Sequence, residues 1–184
     1  THHNVGILLG SGSNYFYEIA KYRAIRSLWT SICEFSDFNQ KTIEIHSCTG
    51  RINMALQDHH TNLLRQTTQA MSGCIGGANL ISVEPYDYIS TESSERIQRM
   101  AKNIPLILKE EGYLDKIIDP ANGSYYIEWL TNQWKDKALE IFKTLENQGG
   151  YNASRENSFI DSITNETISV RRNLFEDKKI ELIG

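Results

Sequence analysis

Four stretches of the sequence carry residue types and spacings that could do chemistry. Ser82 and Glu84 close the apolar run 78–83, and polar residues at a strand's carboxyl end are where α/β folds put function. His46 stands near the end of the alternating run 42–48. It is either a structural histidine bonded to a neighbouring strand or loop, or the remnant of a substrate contact. Gly10-x-Gly12 lies between a strand and a helix and invites a dinucleotide fingerprint. The third glycine position is Tyr15, where close helix–strand packing needs glycine, so a tight βα turn is the simpler reading. His59-His60 suggests a metal, but no carboxylate or cysteine stands at ligand spacing. His2-His3 reads as a strand approach or an added tag.

Three repeats of strand and helix must position these residues. Val5 to Leu9 is a continuous apolar run, expected to be a fully buried strand that GSGSN at 10–14 breaks. The spacing predicts a helix over 15–35, capped by Asn14, with Phe16, Ile19, Ala20, Ala24, Leu28 and Ile32 as its stripe; Glu18, Lys21 and Arg26 lie away from it. Residues 42–48 alternate and are β-branched, which predicts the second strand. A helix from about Asp58 to Ile75 follows, with Leu64, Thr68, Met71 and Ile75 on one face. Gly76-Gly77 stops it, because glycine turns left-handed without a Cβ penalty. The third strand, buried, covers 78–84 and ends at Glu84-Pro85. Strand starts near 5, 42 and 78 recur at the length of a βα unit. They predict three parallel strands in consecutive order with helices on one side.

The remainder reads as helices. One starts after Ser90-Thr91-Glu92, buries Ile97, Met100, Ala101, Ile104 and Leu108, carries Pro105 inside its stripe and closes at Gly112. Residues 119–124 form a turn-rich bend in which Asp119 caps before Ser124. The next helix holds Ile127, Leu130, Thr131, Trp134, Ala138, Ile141, Phe142 and Leu145 in one stripe until Gly149-Gly150. A weaker helix spans 155–173 with Phe159, Ile163 and Val170 inward, and 180–184 is an apolar, strand-like end that reads as a cut within a longer protein. Arg65 is expected to tie its helix to a loop carboxylate. Glu92, Glu95 and Arg96 read as a solvated face, and Trp29, Trp129 and Trp134 as core or interface packing.

Composition narrows the classes. The 184 residues suffice for one ordinary domain, and 40% hydrophobic with 23% charged content is that of a globular protein. A net charge of −4 argues against a nucleic-acid partner. No apolar run approaches ~18 residues, so no membrane partner is expected. Cys33, Cys48 and Cys74 are odd in number and form no C-x-x-C pair, which points to reduced thiols and a cytoplasmic setting.

Four segments together resemble one family. They are GSGSNYFYEIAKYRAIRSLW (10–29), HSCTG with QDHHTNLLRQTTQAMSGCIGG (46–77), DPANGSYYIEWLT (119–131) and ALEIFKTLENQGGY (138–151). They are similar to the adenosylcobalamin-dependent acyl-CoA mutases, the methylmalonyl-CoA mutase family above all, and DP-x-x-GSYY-x-E-x-LT is the most specific piece. The resemblance implies an α/β fold: residues 1–118 as the last three βα units of a (β/α)8 TIM barrel that threads an acyl-CoA, and 119–184 as helices leading toward a cobalamin-binding domain. That domain's D-x-H-x-x-G motif, with its cobalt-ligating histidine, does not occur in the sequence. Neither do the family's active-site tyrosine and catalytic histidine, which belong to earlier barrel strands.

At the pocket positions the chain departs from the family pattern. Catalytic members carry H-x-Q-T-S-G where this chain has His46 to Arg51, so Cys48 replaces a substrate-bonding glutamine and Arg51 a glycine. Where they read GGTQSLHTN-x-[FY]D, this chain reads GGANLISVEPYD: Asn79 replaces glutamine, Ser82 histidine and Glu84 asparagine. Lost donors cost a few kcal/mol per buried group left unpaired, and Glu84 would repel an anionic acyl-CoA. His46, Cys48, Arg51, Asn79, Ser82 and Glu84 therefore read as a degenerate pocket. No catalytic residue, cofactor or metal is expected in this chain. The resemblance implies the non-catalytic small subunit of a heterodimeric isomerase whose large subunit carries adenosylcobalamin. The exposed sheet edges of three unclosed units predict self-association of the piece. Two other readings stand beside it: a fragment of an active cobalamin-dependent mutase, and an unrelated α/β binding module.

Overall fold

The structure is a computed structural model that describes residues 5–36, 42–89 and 94–183. His2-His3 and the capping run Ser90-Thr91-Glu92 lie outside the described residues. Two compact units are distinguished, one reaching to Lys135 and one spanning Asp136–Ile183.

The first unit holds three strands, β1 (Gly6–Ser11), β2 (Glu44–Thr49) and β3 (Leu80–Ser82), parallel and in the order β1-β2-β3, as the repeat spacing predicts. Between them run α1 (Tyr15–Phe35) and α2 (Thr61–Ile75). Side chains alternate across a strand, so the pairing of Leu8 with His46 and of His46 with Leu80 sets three residues in one row on one face. Gly10, Cys48 and Ser82 form the next row on that face. The opposite face belongs to Ile7, Leu9, Ile45 and Ser47, and Tyr22, Ile25 and Trp29 of α1 pack onto it.

This division corrects the fully buried strands expected at 5–9 and 78–83. Leu8 is 67% exposed and Leu80 is exposed, because helices cover only one face of the sheet in this chain. The strand bounds shift for a physical reason too. β1 continues through Gly10 and Ser11, which pair with Cys48 and Thr49. β3 is only three residues long, and side chains take part in the bonding at both of its ends, beside the Asn79 amide that donates to the Ile45 carbonyl at 2.7 Å. The Ile45 amide donates to Asn79 Oδ1 at 3.0 Å, and the Glu84 amide donates to Thr49 Oγ1 at 2.9 Å.

The helices form near the expected places and bury much of the expected stripes, Ile19, Ala20 and Ala24 in α1 among them, with departures at particular residues. In α1, Asn14 caps as expected, accepting from the Tyr17 amide. Phe16 and Ile32 are exposed, whereas Tyr22 and even Glu18 are buried, Glu18 being neutralised by Lys21. In α2 the expected stripe is split: Leu64 is 69% exposed and Thr68 exposed, while Met71 and Ile75 pack against the core, and the fully buried side is largely polar, with Asn62, Gln66, Gln69 and Ser72 beside Ala70. Gly73 sets that orientation. A Cβ there would stand 2.5 Å from Ser47 Oγ, so only glycine lets α2 lie this close to the sheet. Gly77, at φ +83°, then turns the chain into β3.

Helix α3 (Glu95–Glu110) is capped by the Ser94 side chain and buries Ala101, Ile104 and Leu108. It continues through Pro105 and closes at Gly112, whose amide donates to the Ile107 carbonyl at 2.8 Å. Helix α4 (Tyr125–Asn147) buries Ile127, Leu130 and Thr131. In the second unit Phe142 is 53% exposed, so the stripe is not buried along its whole length. Gly149 and Gly150, both at positive φ, end α4 as expected. The single helix expected at 155–173 is two, α5 (Gly150–Glu156) and α6 (Phe159–Glu176), parted where Ser158 takes φ +62°. Val170 is exposed, not inward, and residues 180–183 form no strand.

Candidate functional site

The uncovered face of the sheet and the loops at its carboxyl end bring five of the six predicted positions together. His46 Nε2 and Ser82 Oγ are 2.6 Å apart across β2 and β3, so the imidazole is bonded to a neighbouring strand. Cys48 stands in register with Ser82. Beyond them, Arg51 Nε and Nη2 both donate to Glu84 Oε1, at 3.1 and 2.5 Å, and the guanidinium lies 3.6 Å over the Tyr88 ring. The two residues expected to stand in for a glycine and an asparagine are therefore partners of each other. Asn79 is not among them. It sits at the amino end of β3, where its side chain serves the Ile45 amide and Arg26.

The electrostatics follow from these contacts. The Glu84 hydrogen bond is the main reason the Arg51 guanidinium is held more firmly protonated than usual. Burial pushes the Cys48 thiol above its ordinary range; Glu84 adds to that push and Arg51 opposes it. A thiol so placed is a weak nucleophile. The Arg51–Glu84 pair is neutral as a whole, and the guanidinium's Nε and Nη2 donors are spent on Glu84 instead of on an anionic substrate.

A second polar cluster supports this face from beneath. Ser11 Oγ, Tyr22 Oη and Ser47 Oγ form a closed triangle with sides of 2.7, 2.9 and 2.7 Å. Burial is the main cause of the raised Tyr22 phenol, which its two serine bonds partly offset. Above the triangle the Gly50 amide donates to the Ser11 carbonyl and to Gln69 Oε1, both at 2.9 Å. Asn62 binds the amide and carbonyl of Ala55 and the carbonyl of Tyr86, tying the loop after β2 to the loop after β3. Sequence reasoning missed these residues and Tyr88. The signal for the helical ones was there: Asn62, Gln66 and Gln69 recur at the spacing of one helix face.

The other singled-out residues lie elsewhere. Asp119 does not cap the bend; its two oxygens take Arg23 Nε and Nη2 at 2.8 and 3.0 Å, while Arg23 also reaches Glu128 at 2.7 Å. That fork wins because Arg23 is the one guanidinium α1 presents to the bend. Arg65 donates to Thr61 and Asn62 of its own helix. Glu95 and Arg96 are exposed, as expected of a solvated face. Trp29 packs in the core, but Trp129 is 56% exposed and stacks on Tyr126. The cysteines Cys33, Cys48 and Cys74 are free thiols.

The residues present do not fit adenosylcobalamin. His46 Nε2, the open-face nitrogen, is held by Ser82. The rings of His59 and His60 stack on each other and on Tyr86. Asp58-x-His60 begins the cobalt-ligand motif, but Leu63 stands where that motif needs glycine. Among the described residues, no three His, Cys, Asp or Glu side chains gather to hold a metal, and no helix is long and apolar enough to cross a membrane.

Comparison with known proteins agrees with the motifs. A model of the family described as Methylmalonyl-CoA mutase matches residues 6–184. The methylmalonyl-CoA mutase small subunit of Porphyromonas gingivalis is 40% identical over 177 residues, covering 90% of this chain and 29% of that protein. The methylmalonyl-CoA mutase of Rhizobium meliloti is 33% identical over 175 residues, covering 94% and 24%. The small subunit from Streptomyces virginiae is 31% identical over 170 residues, covering 92% and 28%. The chain thus spans less than a third of the length of these relatives.

Proposed function

This chain belongs to the methylmalonyl-CoA mutase family, an isomerase family, and from that premise we propose that it is part of a non-catalytic small subunit. Its role is architectural: it packs against a catalytic large subunit that carries adenosylcobalamin and interconverts methylmalonyl-CoA and succinyl-CoA. The partner stabilises it, and is stabilised by it, through mass action. One observation carries this reading. The pocket positions engage one another, Arg51 with Glu84 and His46 with Ser82, instead of standing as separate donors aimed at an acyl group. Differential stabilisation of a transition state needs such donors aimed at the reacting atoms.

Further parts of the proposal rest on lesser support. The six positions His46, Cys48, Arg51, Asn79, Ser82 and Glu84 are a degenerate form of the family pocket. Residues 1–118 are barrel and 119–184 lead toward a cobalamin-binding domain. The isolated piece self-associates through β1 and β3, each of which has a strand on one side only among the described residues. Three free thiols favour a reducing cytoplasm. The test is turnover. The intact protein alone, given adenosylcobalamin and methylmalonyl-CoA, is expected to make no succinyl-CoA and to gain none from Cys48→Gln, Ser82→His and Glu84→Asn together. Turnover by the unmodified protein without a partner subunit would sink the reading in favour of an active isomerase.

A further inference from the structure

Asp87 follows the pocket loop and is only 4% exposed, and neither of its carboxylate oxygens has a hydrogen-bond partner. Across the cavity the Asn62 amide is fully used, accepting from Ala55 and donating to Ala55 and Tyr86. A buried carboxylate without donors is costly, so a cationic donor that reaches it relieves that cost. Asp87 lines a cavity of about 340 Å³ together with Ala55, Leu56, His59, Asn62 and Tyr86. The walls are of two kinds. His59 and Tyr86 are parallel within 9°, their ring centroids 5.7 Å apart, and the alanine and leucine supply alkyl surface.

We propose that this cavity binds an alkylguanidinium group, its fork on the two Asp87 oxygens and its alkyl stem against Ala55 and Leu56. Two unpaired oxygens on one carboxylate match the paired N–H groups of a guanidinium better than the single point charge of an ammonium. Aromatic faces at the wall suit the same planar cation. Entry asks the Asp87 side chain to turn toward the cavity it lines. The site is separate from the Arg51–Glu84 pair and does not depend on the role proposed for that pair.

The test uses the intact protein and propylguanidinium, with propylurea as the neutral isostere. Calorimetry is expected to give saturable millimolar binding of propylguanidinium and none of propylurea. Asp87→Asn should weaken it at least about tenfold, the loss of one charge-assisted bond, while Arg51→Ala leaves it unchanged. An acetylated, amidated Gly-Arg-Gly peptide distinguishes the source: tighter binding than propylguanidinium assigns the site to an arginine side chain, weaker binding to a free small cation. If Asp87→Asn fails to fold, hydrogen exchange of the unmodified protein decides. Protection over 54–63 and 84–89 on adding propylguanidinium supports the site, and protection elsewhere or nowhere overturns it. Equal binding of propylurea, or no saturation by either cation, also overturns it.

Discussion

Ser47 and Cys48 are neighbours on β2, yet they face regions under different constraints. On the helix side, Ser47 closes a triangle with Ser11 and Tyr22 beneath Gly73, and no atom there has room to change. On the uncovered side, Cys48, Arg51 and Glu84 border solvent, and their contacts are long side chains that can rearrange. Close packing makes the first region specific to single residue types. The second keeps only the requirement that charges find partners. Substitutions on the open face therefore ask less of the fold than substitutions on the closed side.

Glycine substitutions on the closed side test this most severely. A Cβ on Gly50 would stand 2.4 Å from the Ser11 carbonyl oxygen, a backbone atom that cannot swing away. Gly50→Ala is expected to lower stability by about 3 kcal/mol, the upper range for overpacking. Gly73→Ala should cost about 2 kcal/mol, since the gain in helix propensity of ~1 kcal/mol offsets part of its clash with Ser47. Urea midpoints at unchanged slope measure both. Costs under half these values would mean that the closed side yields as readily as the open one.

The next residue on α1 extends the closed side to the bend at 119–124. Arg23 is nearly buried, while its partners Asp119 and Glu128 are 40% exposed. Screening discounts the loss, so Arg23→Ala should cost about 1–2 kcal/mol, not the larger penalty of a fully buried pair. The hydrogen bond from Arg23 holds the Glu128 carboxyl below its ordinary range. A carboxyl lowered by folding contributes stability that is complete above its unfolded value and is lost as pH falls through the lowered folded value. Melting followed across the acid range should show that loss in the native protein and a smaller one in Arg23→Ala. Tyr22→Phe comes next at about 1 kcal/mol, because it removes a hydroxyl yet leaves Ser11 and Ser47 bonded to each other. A thermal midpoint unmoved by Tyr22→Phe would show that the triangle merely fills space.

How much was legible in the sequence follows the same division. The parallel order of β1, β2 and β3 and the extent of α1 were legible because apolar runs, glycine pairs and a capping asparagine are local signals. The motifs singled out six positions, and five of them lie together in the structure. The polar buried side of α2 was not, because Leu64 is apolar yet exposed, while Gln66, Gln69 and Gly73 are buried. Asp119 was misread for a related reason: its partner, Arg23, lies 96 residues away, and no local pattern points across that distance. The pairing of Arg51 with Glu84 needed the loop geometry, since each residue alone reads as damage to a pocket.

The open face should show the smallest stability effects and a distinct chemical signature. Arg51 is half exposed, so Arg51→Ala should shift the urea midpoint least of the variants here, and added salt should shrink the shift further. The more sensitive reporter is the neighbouring thiol. Burial raises Cys48 first, Glu84 raises it further, and Arg51 lowers it. Removing either charge must therefore move the thiol in opposite directions. In Glu84→Gln the pH midpoint for iodoacetamide alkylation of Cys48 should fall, because one source of repulsion for the thiolate is gone. In Arg51→Ala it should rise, because the guanidinium that favours the thiolate is gone. With both replaced, burial alone remains and the midpoint should lie between those of the two single variants. Mass spectrometry of the peptide containing Cys48 separates it from Cys33 and Cys74. Shifts of the same sign in both single variants would mean that backbone rearrangement, not charge, controls this face, and the contrast with the rigid side would fail at its most exposed point.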